Sequence, residues 1–350
     1  MTLKFEPIWF DSMGAKSSCT LVKTPDLSIL IDPGVAEMQP SFPASNKKKE
    51  TWLNLAKKKI KKTSKNVDCI VISHYHYDHY FADDFEIYKG KKVFIKNPNE
   101  YINSTQRKRA EELFQNIYKY FNVQEKEKII SYKSSKIYPD PRNKLPHAIN
   151  KDFKSYNTRR NEVLEKGKKR FDKQILNWQS YKKLPEIKSK DIEIIFSENS
   201  SFNFGDTNIR FTPALFHGIE FATVGWVYGT IIEYKEKKFF HSSDLSGPMI
   251  EDYADLIIKE NPSGLILDGP TTYLFGYILN RINLERTIDN TKRIIREINS
   301  DVIIYDHHLT REAKFRERTS NVWKTAEKLE KRLETAAEYL GQKTVVELNK

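Results

Sequence analysis

Short apolar runs that end in polar clusters recur along this chain. Leu27-Ser28-Ile29-Leu30-Ile31 runs into Asp32-Pro33-Gly34, and Val67-Asp68-Cys69-Ile70-Val71-Ile72 runs into His74-Tyr75-His76-Tyr77-Asp78-His79. Their length and β-branched content predict largely buried strands. The pattern returns where Ile209-Arg210-Phe211-Thr212 leads to His217, Lys238-Phe239-Phe240 to Asp244, Gly264-Leu265-Ile266-Leu267 to Asp268, and Val302-Ile303-Ile304-Tyr305 to Asp306-His307-His308. Six predicted strands therefore deliver polar residues at their C-terminal ends.

Helical spacing is confined to fewer stretches. Trp52, Leu55, Ala56 and Ile60 recur with lysines between them, and Val322, Trp323, Ala326, Leu329, Leu333, Ala336 and Leu340 form an apolar stripe closed by Gly341. Both predict helices that pack on a sheet. From Tyr101 to Lys190 the chain reads as mainly helical, with Phe114, Tyr118, Phe121, Phe171 and Trp178 scattered among charges and a break at Tyr138-Pro139-Asp140-Pro141. The predicted organisation is one main domain, residues 1–100 and 191–350, interrupted by a helical insertion over 101–190 that forms a cap or arm.

Composition adds bounds to this outline. With 350 residues, 39% hydrophobic and 12% aromatic, the chain can bury a real core, and 30% charged residues imply a heavily charged surface. The N-terminus has no signal-peptide pattern and no apolar segment is long enough for a bilayer, so a cytoplasmic protein without a membrane partner is expected. Cys19 and Cys69 lack a CxxC pattern, which argues against a disulfide framework or a thiolate zinc knuckle. Cys69 reads as a small buried hydrophobe.

The net charge of +12 is concentrated. Residues 101–190 hold 23 Lys+Arg against 10 Asp+Glu, and Lys47 to Lys65 holds nine lysines against one glutamate. Such a segment can attract nucleic acid, although lysine-rich helices are commonly only solvated faces.

The candidate chemistry is more sharply placed. The chain has eight histidines, and seven of them stand at or just after the end of a predicted strand. His74, His76, Asp78 and His79 are spaced so that a loop can turn two imidazoles to one metal and a carboxylate with the last imidazole to another. Imidazole and carboxylate donors suit zinc, and also iron or manganese. His241 reads as a packing or supporting residue, and His147 as a residue outside the site. Asp268-Gly269-Pro270 reads as a turn near it.

The run HxHxDH after a buried strand resembles the signature of the metallo-β-lactamase superfamily, and the remaining polar strand ends follow in that family's order: Asp32 before it, His217, Asp244 and His307-His308 after it. The resemblance implies an α+β fold, a four-layer αββα sandwich, here with a helical insertion. It implies two metal ions, zinc foremost: His74, His76 and His217 on one, Asp78, His79 and a late histidine on the other, and Asp244 bridging. A bridging carboxylate holds two dications about 3.5–4 Å apart, and together they make hydroxide available at neutral pH. Asp78 would also steer that hydroxide as the catalytic residue, and Asp32 would orient a ligand histidine. In related phosphodiesterases the last ligand stands four residues before an arginine, which selects His307 before Arg311. His308 is the alternative, since strand alternation turns only one of the two inward.

Further stretches, among them Ser12-Met13-Gly14-Ala15-Lys16-Ser17-Ser18 and Asp306-His307-His308-Leu309-Thr310-Arg311, resemble a largely archaeal branch of metallo-hydrolase-like proteins in that superfamily. Where the superfamily often has glycine before the bridging aspartate, this chain has Ser243. About 60 residues separate Asp244 from His307 and only 24 separate Gly218 from Ser243. Neither span holds the cassette of RNA-processing and crosslink-repair members or the arm of tRNA 3′-processing members. The expected activity is dimetal hydrolysis of phosphodiester bonds, with nucleic acid as a candidate substrate bound through 101–190. Hydrolysis of a small phosphate ester, cyclic phosphodiester or lactone is the alternative. A non-catalytic, metal-containing nucleic-acid-binding protein is another.

Overall fold

The computed structural model describes residues 2–123 and 136–349, so residues 124–135 of the predicted insertion lie outside the described part. One sheet is built from Lys4–Phe10 (β1), Ser18–Lys23 (β2), Ser28–Ile31 (β3), Cys69–Ile72 (β4), Lys91–Ile95 (β5), Ile187–Lys188 (β6) and Ile192–Phe196 (β7), in the order β1-β2-β3-β4-β5-β7-β6. The pairs β3/β4, β4/β5 and β5/β7 are parallel, and every residue of β4 is buried. A strand covered on both faces can be apolar throughout, which is why Cys69-Ile70-Val71-Ile72 shows no alternation.

The second sheet contains Ser201–Phe204 (β8) and Thr207–Phe211 (β9). A small pair, Leu215–Phe216 (β10) with Trp226–Val227 (β11), stands apart. Thr230–Tyr234 (β12), Lys237–His241 (β13), Gly264–Asp268 (β14), Val302–Asp306 (β15) and Leu333–Glu334 (β16) complete the order β16-β15-β14-β13-β12-β9-β8. The two sheets meet face to face: Phe5 lies 4.8 Å from Phe239 and Phe94 lies 4.7 Å from Phe202, ring centre to ring centre.

Helices cover the outer faces. They are Asn46–Ser64 (α1), Ser104–Tyr120 (α2), Pro146–Asn150 (α3), Asn157–Ser180 (α4), Glu251–Glu260 (α5), Arg281–Glu297 (α6), Phe315–Arg318 (α7), Ser320–Lys328 (α8), Ala336–Tyr339 (α9) and Val345–Leu348 (α10). The result is the four-layer αββα sandwich that the sequence implied. In α1, Ala56 and Ile60 are buried but Leu55 is 49% exposed, so the apolar face is narrower than the spacing suggests. Both cysteines are buried and unpaired. Among the described residues no helix is long and apolar enough to cross a membrane.

The C-terminal stripe corrects the sequence reading. One helix through Val322–Leu340 was expected, but α8 stops at Lys328, Glu330 takes a left-handed conformation (φ 52°), and Leu333–Glu334 pairs with Ile303–Ile304 at the sheet edge. A new helix then starts at Thr335, whose side chain and that of Glu338 form a reciprocal cap. Covering the open edge of β15 satisfies backbone groups that a continuous helix would leave unpaired.

The described part of 101–190 connects β5 to β7 and lies on the segment 215–227. Trp178 is fully buried, donates from Nε1 to Ile102 O at 2.7 Å, and sits 5.5 Å from Trp226. At Gly167 of α4 a Cβ would lie 2.5 Å from Phe221 Cβ, so only glycine allows this approach. A buried ion cluster ties α4 and α6 together: Arg160 and Arg286 both bond Glu220 at 2.8 Å, and Arg286 also bonds Glu251 at 2.7 Å.

Candidate metal centre

Each donor stands where a strand ends. β4 stops at Ile72 and the chain turns through Ser73 to Tyr80, with His74 and His79 fully buried and His76 and Asp78 partly buried. The loop after β3 passes so close that a Cβ on Gly34 would lie 2.1 Å from Tyr80 N and 2.3 Å from His79 N. Glycine there is what lets two strand-end loops touch. His217 follows β10, Asp244 follows β13, and His307 and His308 follow β15.

These side chains converge on Asp244. Its Oδ2 lies 3.1 Å from His79 Nε2, 3.4 Å from His74 Nε2, 3.7 Å from His308 Nε2 and 3.8 Å from His217 Nε2, and its Oδ1 lies 3.3 Å from His307 Nε2. His76 Nδ1 is 3.0 Å from His74 Nε2. Asp78 Oδ2 is 3.8 Å from His307 Nε2 and 3.3 Å from an Arg311 nitrogen. Three donor groups result: His74, His76, His217 with Asp244; Asp78, His79 with His307; and Asp244 with His307 and His308.

The donor set fits metal on an independent ground. Both oxygens of Asp244 and His79 Nε2 are buried without an aligned hydrogen-bond partner. A buried carboxylate left unsatisfied is costly, whereas ions placed between converging imidazoles and carboxylates would satisfy all of them at once. Burial pushes the His74, His76, His217 and His308 imidazoles below their ordinary range, His217 to about 3, which keeps nitrogen lone pairs free. Burial also opposes a charged His79, yet Asp244 and Asp32 raise that imidazole to about 10. The site therefore attracts positive charge.

Carboxylates stand behind the imidazoles. Asp32 accepts from Ser73 N at 2.8 Å and Ser73 Oγ at 2.7 Å and lies 2.9 Å from His79 Nδ1. Asp32 is itself held left-handed at φ 48°, a conformation Asp tolerates better than most residues. Asp268 Oδ2 lies 3.4 Å from His308 Nδ1, so the Asp-Gly-Pro turn also supports the site. Asp11, which the sequence reading passed over, lies 3.0 Å from His307 Nδ1 and bonds Arg311 Nε. His241 donates toward Ser18 O at 3.0 Å, and His147 pairs with Asp255 away from the donor groups. Asp11→Asn keeps the shape and removes the charge. It is expected to weaken metal affinity about 10–100-fold, as loss of a residue orienting a ligand does, measured by competition with a chromophoric chelator; unchanged affinity would remove Asp11 from this role.

One local expectation needs correction, and one departure from the superfamily pattern is accommodated. Strand alternation was expected to turn only one of His307 and His308 inward, but β15 ends at Asp306 and His308 lies at φ 63°, with its N–H donated to Asp11 Oδ2 at 2.8 Å. Both imidazoles therefore face Asp244. Ser243 takes the left-handed conformation (φ 57°) that glycine favours, and its Oγ donates to Ser73 Oγ at 2.7 Å. The turn before Asp244 thus forms with serine, at some backbone strain.

The centre is the floor of a cavity of about 560 Å³. His76, Asp78, His217 and His308 reach it, together with Lys16 and Arg311 and with Arg109, Val163 and Arg170 of residues 101–190.

The model of the Metallo-beta-lactamase superfamily matches residues 14–145. A UPF0282 protein of Methanocaldococcus jannaschii is 31% identical, over 98% of this chain and 94% of its own length. One of Methanopyrus kandleri is 27% identical, over 97% and 94%. Among solved structures, the metallo-beta-lactamase fold protein YhfI from Bacillus subtilis superposes with a TM-score of 0.44 at 13% identity, covering 95% of both chains.

Proposed function

The chain belongs to the UPF0282 family, and from that premise we propose that this metal-dependent hydrolase of the metallo-beta-lactamase superfamily cleaves a phosphodiester bond in a small substrate, using two divalent ions. The observation that supports it is the convergence of imidazoles on an otherwise unsatisfied Asp244 at the floor of a cation-lined cavity. In this reading His74, His76 and His217 hold one ion, Asp78, His79 and His307 the other, and Asp244 lies between. Zinc is the first candidate, with iron or manganese as alternatives. Ions bound there would supply Lewis acidity and lower the pKa of bound water.

The chain's own groups do the rest. Arg311 fixes Asp78 through Oδ2, so that the carboxylate can accept a hydrogen bond from the attacking water at Oδ1. Asp11, Asp32 and Asp268 orient three imidazoles from behind. Lys16, Arg109 and Arg170 line the cavity, and among the described residues none has a carboxylate within ion-pair distance. Unpaired cations around a hydrolytic floor favour an anionic ester over a neutral lactone. A cavity of about 560 Å³ suits a compact ligand.

Metal-loaded protein is expected to release p-nitrophenolate from bis-p-nitrophenyl phosphate, to stop on chelation and to resume when zinc is returned. Absence of turnover under every metal tested, or activity unchanged in His76→Ala, would sink the hydrolase reading. The basic 101–190 segment keeps a nucleic-acid substrate as the second reading. Binding of a single-stranded oligonucleotide that weakens steeply with salt would support it, and salt-independent or absent binding would contradict it.

A further inference from the structure

The cavity above the candidate metal centre is divided by polarity. Metal-site residues and cations form its floor, while Ile219, Phe221, Met249, Leu274, Ile278 and Leu279 supply an apolar wall. Three strand ends at the site continue into that wall: Ile219 and Phe221 follow the donor His217, Met249 follows the donor Asp244, and Leu274 to Leu279 follow Asp268, which stands behind His308. The wall is organised separately from the main core. Met249, Leu279 and Leu284 form their own small buried cluster, with Ile219 packed against it. Ile278 is 63% exposed although it lines the cavity.

Each half of the lining selects for something different. Lys16, Arg109 and Arg170, without carboxylate partners among the described residues, select a negative charge. Among the described residues Arg109 has only a long contact to Tyr75 O at 3.4 Å and a stack over Tyr77, and Arg170 only a bond to Phe221 O at 3.3 Å. The apolar wall selects a group that gains by leaving water. Glu220, the one carboxylate on that side of the cavity, is already taken by Arg160 and Arg286 and so does not repel an anion there.

We infer that the substrate is an amphipathic anion: a phosphodiester whose compact aryl or branched-alkyl group lodges against Ile219, Met249, Leu274 and Leu279 while its charged ester meets the floor. The identity of the bond rests on the hydrolase reading above. The apolar subsite does not.

The test uses methyl and benzyl p-nitrophenyl phosphate, which share a leaving group, with metal-loaded full-length protein. Calorimetric binding of methylphosphonate and benzylphosphonate runs beside it and needs no turnover. The benzyl compounds are expected to be favoured at least about 10-fold in both kcat/KM and affinity, since even one methylene in an apolar pocket can change discrimination by that factor. Leu279→Ala is expected to bring the benzyl-over-methyl ratio toward one, and the solvent-exposed Ile278→Ser to lower it without challenging the fold. Turnover of both diesters with no benzyl preference overturns the inference and leaves the hydrolase reading standing. Preferred benzylphosphonate binding without any turnover supports the subsite and overturns the hydrolase reading.

Discussion

Asp244→Asn is expected to lower kcat/KM for a phosphodiester by about 10³-fold or more, roughly 4 kcal/mol of transition-state stabilisation, and to leave less than two equivalents of bound metal. The substitution is isosteric, so the shape of the pocket is kept. What changes is one acceptor oxygen and the negative charge that five imidazole nitrogens approach within 3.8 Å. Neither Asp244 oxygen has an aligned hydrogen-bond partner, so its burial is not explained by the protein's own hydrogen bonding. If the carboxylate holds ions, wild-type protein should lose thermal stability on chelation, because saturation at 1,000 times Kd contributes about 4 kcal/mol. The Asp244→Asn variant should lose much less. His147→Ala, whose imidazole pairs with Asp255 outside the donor groups, serves as the control and should change neither metal content nor rate. Wild-type metal content in Asp244→Asn would contradict the bridging role.

Arg286→Ala should have the largest effect on stability, about 3–5 kcal/mol in denaturant unfolding, because two buried carboxylates lose their shared cation, leaving Glu220 with only Arg160 and Glu251 with only Lys151 among the described residues. Arg286 is 4% exposed and bonds Glu220 and Glu251, themselves 4% and 1% exposed. Glu220 also holds Arg160 of α4, so one residue links α4, α6 and the segment that carries His217. The pH dependence has a definite sign. Burial alone would raise the Glu251 carboxyl, but Arg286 and Lys151 override it and hold it at about 2. A depressed carboxylate contributes its full stabilisation above the ordinary glutamate pKa of about 4.3 and loses it as the pH falls through the depressed value. Wild-type stability should therefore decline across that acid range. Arg286→Ala should show a shallower decline there, and a change below 1 kcal/mol at neutral pH would show that the cluster is dispensable.

How much of this was legible in the sequence depended on the range of the interaction. The strands ending at Ile72, Ile31 and Asp306 were readable because apolar runs and their polar stops are local. The same holds for the crowding of histidines at those ends. Asp11 was not readable: it meets His307 across 296 positions, and nothing around it distinguishes it from a surface turn. The expectation that only one of His307 and His308 turns inward failed for a local reason, since alternation applies only while the chain stays extended and His308 does not. The stripe after Val322 misled because Leu333 and Ala336 keep helical spacing while belonging to an edge strand and a new helix. Charge counting found the basic segment but not its position. That Arg109 and Arg170 would reach the cavity depends on how α2 and α4 pack against the rest of the fold, through contacts such as Gly167 with Phe221 and Trp178 with Trp226.

A two-ion site at this cluster makes a stoichiometric demand. Titrating chelator-stripped protein with zinc, with bound metal counted by elemental analysis after gel filtration, tests it most directly. Two equivalents per chain are expected in wild type, and a wild-type ratio of one or less would rule out a two-ion site.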